Sequence, residues 1–165
     1  MIIKLSEHLE YSKYLKDDPV RPNIDAEWRI GPGREVYILL EDQYTTEDVP
    51  SNDPLAIICV AYTQAEPIND FELVSFTGAA LLEGEYTGEK HVVFYSVWSY
   101  EKGAGRKIVL NVARKIKEED PKVERFITYS PKTEMARKFH LSNGAFELKE
   151  NKESVNYEYP KEAIS

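Results

Sequence analysis

The sequence predicts an α/β domain in three layers, with a mixed, mostly antiparallel central sheet flanked by helices. β-Branched and aromatic runs alternate with amphipathic segments in the order helix, strands, strand-helix-strand, helix, strands. The chain has 165 residues, of which 42% are hydrophobic, enough to bury one core without a metal or disulfide. Its 11 Tyr, 6 Phe and 2 Trp argue against a disordered acidic protein. We therefore expect a single folded domain over 1–165.

The first part of the chain predicts a helix, a loop and a hairpin. Residues 5–16 place apolar side chains at mostly helical spacing behind Ser6, a possible helix cap, and prolines and glycines follow. The runs at 34–41 and 55–63 are rich in β-branched residues and are joined by a polar segment, as in an antiparallel hairpin with a long loop. Cys59, the only cysteine, lies in the second run and is predicted to be buried and unreactive.

The rest of the chain predicts alternating strands and helices. Over 103–119, apolar residues at helical spacing with charged residues on the other face predict an amphipathic helix that starts at glycines. The remaining elements are a short helix or strand at 71–77, a turn around 84–88, strands at 91–98 and 123–129, a helix at 133–141, a turn at 142–144, and two strands, one from Ala145 and one over 154–159.

Charge and composition exclude several classes of function. The formal net charge of −8 disfavours a nucleic-acid partner, because a long basic face would be needed to neutralise many phosphates. Binding of a small anionic ligand is still compatible with this charge, since one helix N-terminus and one or two cationic side chains are enough to bind a phosphate. The first residues show no cationic segment followed by a long apolar stretch, no apolar run approaches the ~20 residues of a membrane helix, and no metal-ligand spacing occurs. We expect a soluble, cytoplasmic protein without a membrane partner or metal; its oligomeric state is open, a homo-oligomer included.

The junction between the strand at 91–98 and the following helix predicts an anion site. Glycines let the backbone approach a ligand, and the first N–H groups of the helix, with the helix dipole, suit a pyrophosphate. Gly103, Ala104, Gly105 and Arg106 form the centre of this site, with Lys102 beside them. An ordinary tight turn would explain the same glycines.

This junction resembles the acetyl-CoA-binding segment of the GNAT fold of N-acetyltransferases, although Tyr100 stands where Arg or Gln is usual. The chain resembles malonyl-CoA decarboxylase more specifically, and the catalytic domain of that family has the GNAT fold. The passages that carry the resemblance occur in the family's order; they are PLAIICVAYTQAEP at 54–67, FYSVWSYEKG at 94–103, RFITYSP at 125–131, and ARKFHLSNGA at 136–145 followed by SVNYEYP at 154–160.

The resemblance implies that His140 and Ser130 act in the active site, since both match the family's motifs. The chain lacks the family's N-terminal helical domain and its long insertion between Ser130 and His140. Backbone N–H groups where the strand opens, at Val97 to Ser99, are predicted to bind the thioester oxygen, and Asn143 to contact the same ligand. We expect His140 to titrate near neutral pH and to orient a carboxylate or deliver a proton.

The plain structural alternatives stay open for these residues. His140 between two apolar residues also fits a packed histidine at a helix end, and Ser130 before proline also fits a strand terminator. Tyr157 and Tyr159 alternate with polar residues, so one face of their strand is expected to pack into the core.

Three functions remain in view. The first is decarboxylation of malonyl-CoA to acetyl-CoA and carbon dioxide, with the coenzyme A thioester as substrate and no tightly bound cofactor. The second is acyl transfer from coenzyme A to an amine or thiol, for which Glu101 is the nearest candidate base. The third is non-catalytic binding of coenzyme A or of a protein partner.

Overall fold

The computed structural model describes residues 1–41, 53–82 and 90–165. The strands are β1 (Ile2–Lys4), β2 (Arg34–Leu39), β3 (Ala56–Thr63), β4 (Lys90–Ser99), β5 (Val123–Thr128), β6 (Ser130–Pro131), β7 (Phe146–Glu150) and β8 (Ser154–Tyr159). The α-helices are α1 (Ala26–Arg29), α2 (Asp70–Leu82), α3 (Ala104–Glu119), α4 (Glu134–Ser142) and α5 (Lys161–Ile164), and two 3₁₀ segments cover Leu5–Glu7 and Leu9–Asp17.

These strands form one mixed sheet. Its order is β1-β2-β3-β4-β5-β8-β6, with β7 paired to the remaining edge of β8. β4 and β5 run parallel because α3 connects them, whereas the other pairings between described strands are antiparallel. The predicted mixed, mostly antiparallel sheet with flanking helices is therefore confirmed.

The core lies on both faces of the sheet, which gives three layers. On one face, Ile108, Val112 and Ile116 of α3 pack against the inward side chains of the strands. On the other face, Leu15 of the second 3₁₀ segment and Leu73 of α2 pack against the alternate strand residues. The two faces follow from the period of two along each strand.

The sheet opens beside β4. The pairing of β4 with β5 ends at Phe94 and Thr128, but β4 continues to Ser99 while paired with β3. The N–H of Tyr129 still donates to the carbonyl of Phe94, at 3.1 Å, and beyond it the chain turns away to pair with β8 as β6. The opening thus begins directly after Phe94, earlier than the sequence predicted, because the parallel partner ends there.

A buried ion pair fixes the loop that follows the 3₁₀ segments. Arg29 and the Asp18 carboxylate are 2.8 Å apart, and the side chains of both are fully buried. Burial raises the pKa of Asp18, but hydrogen bonds from the Arg21 N–H and from Arg29 outweigh it and lower this pKa overall. Arg29 also donates to the Cys59 sulfur at 3.1 Å. The loop is thereby held against β3 and β4.

The other predicted elements compare as follows. The structure confirms the hairpin of β2 and β3, the strand β4, the helices α3 and α4, and the last strand pair. The helix predicted over 5–16 is 3₁₀ rather than α, with a break at His8, and the undecided segment 71–77 belongs to α2. The turn predicted around 84–88 lies outside the described residues. β1, α1, β6 and α5 were not predicted, because each is too short to show a period.

Cys59 is buried, as predicted, and burial raises the pKa of its thiol to about 11. A thiol with so high a pKa is almost entirely protonated at neutral pH, which is the unreactive form.

Candidate active site

A cavity of about 710 Å³ occupies the opening beside β4. Its walls are residues 94–99 of β4, the loop residues Pro19 and Val20, residues 129–131, one side of α4, and Gly105 of α3. No Asp, Glu, Lys or Arg is present among the described residues that line this cavity, and His140 is the histidine in its wall. The cavity can therefore hold an acyl group in a mostly apolar surrounding.

Ser130 and His140 meet in the wall of this cavity. Ser130 begins β6, just past the bend, and His140 lies in the last turns of α4, which starts at Thr133 with a side-chain cap on the N–H of Ala136. The Ser130 Oγ and the His140 Nε2 are 3.2 Å apart, and both residues are only 4% exposed. Tertiary structure thus joins the two residues that the resemblance singled out.

Aromatic side chains surround the imidazole of His140. The Tyr159 hydroxyl lies 2.8 Å from Nδ1, and the Tyr157 ring is stacked on the imidazole with ring centroids 5.1 Å apart. The Phe139 ring packs edge-on at 5.1 Å. Burial among these rings lowers the pKa of His140 to about 4. The expectation that His140 titrates near neutral pH is therefore wrong, since desolvation disfavours the charged ring.

The hydroxyl of Ser130 is held by its own partner. The Ser130 Oγ donates to the Thr128 Oγ1 at 2.8 Å, and the same Thr128 oxygen accepts the backbone N–H of Tyr157 at 3.0 Å. His140 contacts a phenol at Nδ1, where a Ser-His-acid triad would need a carboxylate. Ser130 and His140 are therefore suited to hydrogen bonding with a charged group of a ligand rather than to nucleophilic attack.

The glycine junction forms the N-terminus of α3. Gly103 takes a left-handed φ of 86° and precedes the helix without a side-chain cap. The Ala104 N–H donates to the Glu101 carbonyl at 3.1 Å, so the N–H groups of the first turn after Ala104 are the ones left for a ligand. A Cβ at Gly105 would lie 3.0 Å from the Phe139 ring, so glycine here lets α3 and α4 pack closely beside the cavity.

The predicted binding residues divide into two groups. Val97, Ser99 and Gly105 line the cavity. The others lie outside its described lining. At the start of α3 are Lys102, Gly103, Ala104 and Arg106, and Arg106 donates to the Ser142 carbonyl at 3.1 Å. Asn143 is buried at the end of α4.

The candidate base Glu101 is exposed in the turn before α3 and is absent from the cavity lining. Its side chain does not lie beside the described cavity. This arrangement gives Glu101 no observed contact with the Ser130–His140 pair.

Sequence reasoning missed two kinds of site residue. Tyr159, left undecided between core and site, contacts the candidate catalytic histidine directly. The period of two in β8 does place Tyr157 and Tyr159 on one face, which was the available signal. Pro19 and Val20, which close the cavity from the N-terminal loop, carried no signal because only tertiary packing brings them there.

In the described parts of the chain, no three His, Cys, Asp or Glu side chains are grouped so as to hold a metal. No described helix has the length and apolar character required to cross a membrane.

Comparisons with known proteins place this architecture among solved folds. Neither a protein-family model nor a curated protein sequence matches the chain. The malonyl-CoA decarboxylase from Agrobacterium vitis matches with 21% identity and a TM-score of 0.54, over 87% of this chain and 36% of that chain. The chain therefore spans about a third of the length of that decarboxylase.

Two toxin structures also match. AtaT in complex with acetyl-methionyl-tRNAfMet matches with 14% identity and a TM-score of 0.59, over 99% of this chain and 96% of that chain. A KacTA-DNA complex matches with 16% identity and a TM-score of 0.54, over 96% of this chain and 82% of that chain. Since these neighbours were solved with nucleic acid, the exclusion of a nucleic-acid partner stays a prediction. The chain has the GNAT-like α/β fold that these structures share, as the sequence predicted.

Proposed function

We propose that the chain acts on coenzyme A thioesters and decarboxylates malonyl-CoA, giving acetyl-CoA and carbon dioxide. The observation that carries this proposal is the 3.2 Å contact between Ser130 and His140, both buried, in the wall of the cavity beside open β4. The resemblance of the sequence to malonyl-CoA decarboxylase assigns these two residues to the active site. A neighbour solved as malonyl-CoA decarboxylase adds support at the level of the fold.

The reaction makes specific demands on the site. The bond between the carboxylate carbon and the α-carbon breaks, carbon dioxide leaves, and the electron pair moves toward the thioester oxygen as an enolate. A proton from solvent then joins the α-carbon, so that one malonyl-CoA and one proton yield one acetyl-CoA and one carbon dioxide. The site must therefore weaken solvation of a carboxylate and stabilise an enolate oxygen.

The cavity suits both demands. Its described lining holds no ionic side chain that would retain the carboxylate as an ion pair, and apolar surroundings favour conversion of the charged group to neutral carbon dioxide. Beyond Phe94, no described strand pairs with β4 on the cavity side, so the N–H groups there would be available to donate to the enolate oxygen. Such a donor contributes roughly 3 kcal/mol to transition-state stabilisation.

The rest of the coenzyme is proposed to lie along the start of α3. There the uncapped N–H groups that follow Ala104 would bind the pyrophosphate, with Lys102 and Arg106 supplying positive charge. The thioester would then reach the cavity past Gly105, which forms part of its wall.

Acyl transfer to an amine is the second candidate. It is favoured by the match to AtaT over nearly the full length of both chains, in a complex that contains an acetylated aminoacyl-tRNA. Two observations weigh against it here. Glu101 lies outside the described cavity lining, and a His140 with a pKa of about 4 is a weak base for an ammonium group.

The test is product analysis with purified protein. Wild type, His140→Gln and Ser130→Ala are each incubated with malonyl-CoA, and separately with acetyl-CoA plus amines, and products are followed by mass spectrometry. We expect acetyl-CoA from malonyl-CoA in wild type, with a rate roughly 100-fold lower in His140→Gln. His8→Gln, at a partly exposed histidine, is the matched control and should keep the full rate.

If wild type leaves malonyl-CoA intact, decarboxylation is excluded for this substrate. Acylated amine formed in step with free thiol would then establish transfer. Thioester binding without any product would leave a non-catalytic binding protein.

A further inference from the structure

We infer that Tyr159 is a positioning residue that holds neutral His140 in the tautomer with its proton on Nε2, directed at Ser130 and the cavity. The inference rests on the proposed function in treating His140 as catalytic. Its geometric basis is a chain of buried contacts: the Tyr159 hydroxyl lies 2.8 Å from Nδ1, and Nε2 lies 3.2 Å from the Ser130 Oγ. Tyr159 is 2% exposed, so its hydroxyl is shielded from bulk solvent.

The direction of these hydrogen bonds follows from the serine. The hydroxyl of Ser130 has one hydrogen, which it donates to the Thr128 Oγ1 at 2.8 Å. With this direction, Ser130 accepts in its contact with His140 and the Nε2 atom is the donor. In a neutral imidazole the other nitrogen is then an acceptor, so the Tyr159 hydroxyl donates to Nδ1.

The surroundings of Tyr159 agree with this direction. The side-chain amide nitrogen of Asn143 is buried, can only donate, and makes no hydrogen bond with the described residues. Burial raises the pKa of the Tyr159 hydroxyl, and the neighbouring Asn143 side chain acts to lower it, as a nearby N–H donor does. An unpaired donor near the phenol oxygen favours the orientation in which the phenol hydrogen points away from Asn143 and toward Nδ1.

This tautomer decides what His140 can do. A neutral ring with its proton on Nε2 donates to Ser130 before substrate binds, and it can donate that same proton to a substrate carboxylate or developing enolate that enters the cavity beside Ser130. The opposite tautomer would present a lone pair, which repels both anions. Tyr159 thus sets the sign of the interaction between His140 and substrate without touching the substrate itself.

The test is the tautomer of His140 measured by NMR on protein labelled with ¹⁵N at histidine. The His140 signals are assigned by their loss in His140→Gln, and the wild-type spectrum should show a protonated Nε2 and an unprotonated Nδ1. In Tyr159→Phe the donor to Nδ1 is gone, and we expect a mixture of tautomers together with roughly tenfold or greater loss of turnover.

Tyr157→Phe is the matched control, since this tyrosine stacks on the same ring, whereas the Tyr159 hydroxyl is the group 2.8 Å from Nδ1. It should leave the tautomer as in wild type. A wild-type ring protonated on Nδ1, or an unchanged tautomer in Tyr159→Phe, overturns the inference.

The wild-type spectrum tests the predicted tautomer even if the variant fails to fold, since a ring protonated on Nδ1 would refute the inference by itself. Because the tautomer is read without turnover, absence of decarboxylation would refute the proposed function while the positioning role is still measured separately.

Discussion

Acidification should destabilise this protein through His140. The ring is buried among Phe139, Tyr157 and Tyr159, and burial lowers its pKa from an ordinary 6.5 to about 4. The unfolded chain therefore binds more protons than the folded chain between these two values. The stability contributed by neutral His140 is present in full above pH 6.5, falls as the pH drops below it, and levels off below pH 4.

The size of the effect follows from proton linkage. With a pKa of about 4 folded and 6.5 unfolded, the free energy of unfolding should fall by about 2 kcal/mol between pH 7 and pH 5 from this residue alone. The neighbouring tyrosines do not add to it, since burial raises the pKa values of Tyr157 and Tyr159, and both stay protonated over this range.

The assay compares urea unfolding of wild type and His140→Gln at pH 7 and pH 5. Acidic groups with lowered pKa values, such as Asp18, contribute equally to both proteins, so the difference between the two pH effects isolates His140. Wild type should lose about 2 kcal/mol more than the variant. Equal losses would mean that His140 titrates normally in the folded state, which would refute its burial as a neutral ring.

Two substitutions test the packing around the site. In Gly105→Ala, the new Cβ would lie 3.0 Å from the Phe139 ring, so we expect a cost of about 1–3 kcal/mol in thermal unfolding and a lower turnover. Adding Phe139→Leu should restore part of the stability, and an unaffected single variant would contradict the tight contact. Arg29→Met leaves the Asp18 carboxylate buried without its ion-pair partner, with an expected loss of about 3–5 kcal/mol in urea unfolding. The double variant with Asp18→Asn buries no charge and should recover part of this loss; equal stability of the single and double variants would argue against a charge effect.

The sequence by itself determined the elements that have a clear period. Charged and apolar residues alternate over 104–119 with the period of a helix, and the structure has α3 there. The apolar run around Cys59 is long enough to identify a buried central strand, β3. These elements depend on which side chains must leave water, and that is a property of the residues themselves.

The resemblance to family motifs also identified Ser130 and His140. Their spacing in the sequence, however, does not give the distance between their side chains. Their 3.2 Å contact depends on the turn of the chain after Thr128 and on α4 crossing back over the opening. Both residues could be named from the sequence, but their contact could not be predicted from it.

Tertiary structure alone decided the properties of the site. The sheet opens after Phe94 because β5 ends its pairing there, and Glu101 lies outside the described cavity lining because the turn before α3 carries it to the surface. The low pKa of His140 and its contact with Tyr159 arise from rings brought together across the fold. Local sequence encodes solvent preference and backbone period, whereas protonation and hydrogen-bond direction depend on neighbours distant in the chain.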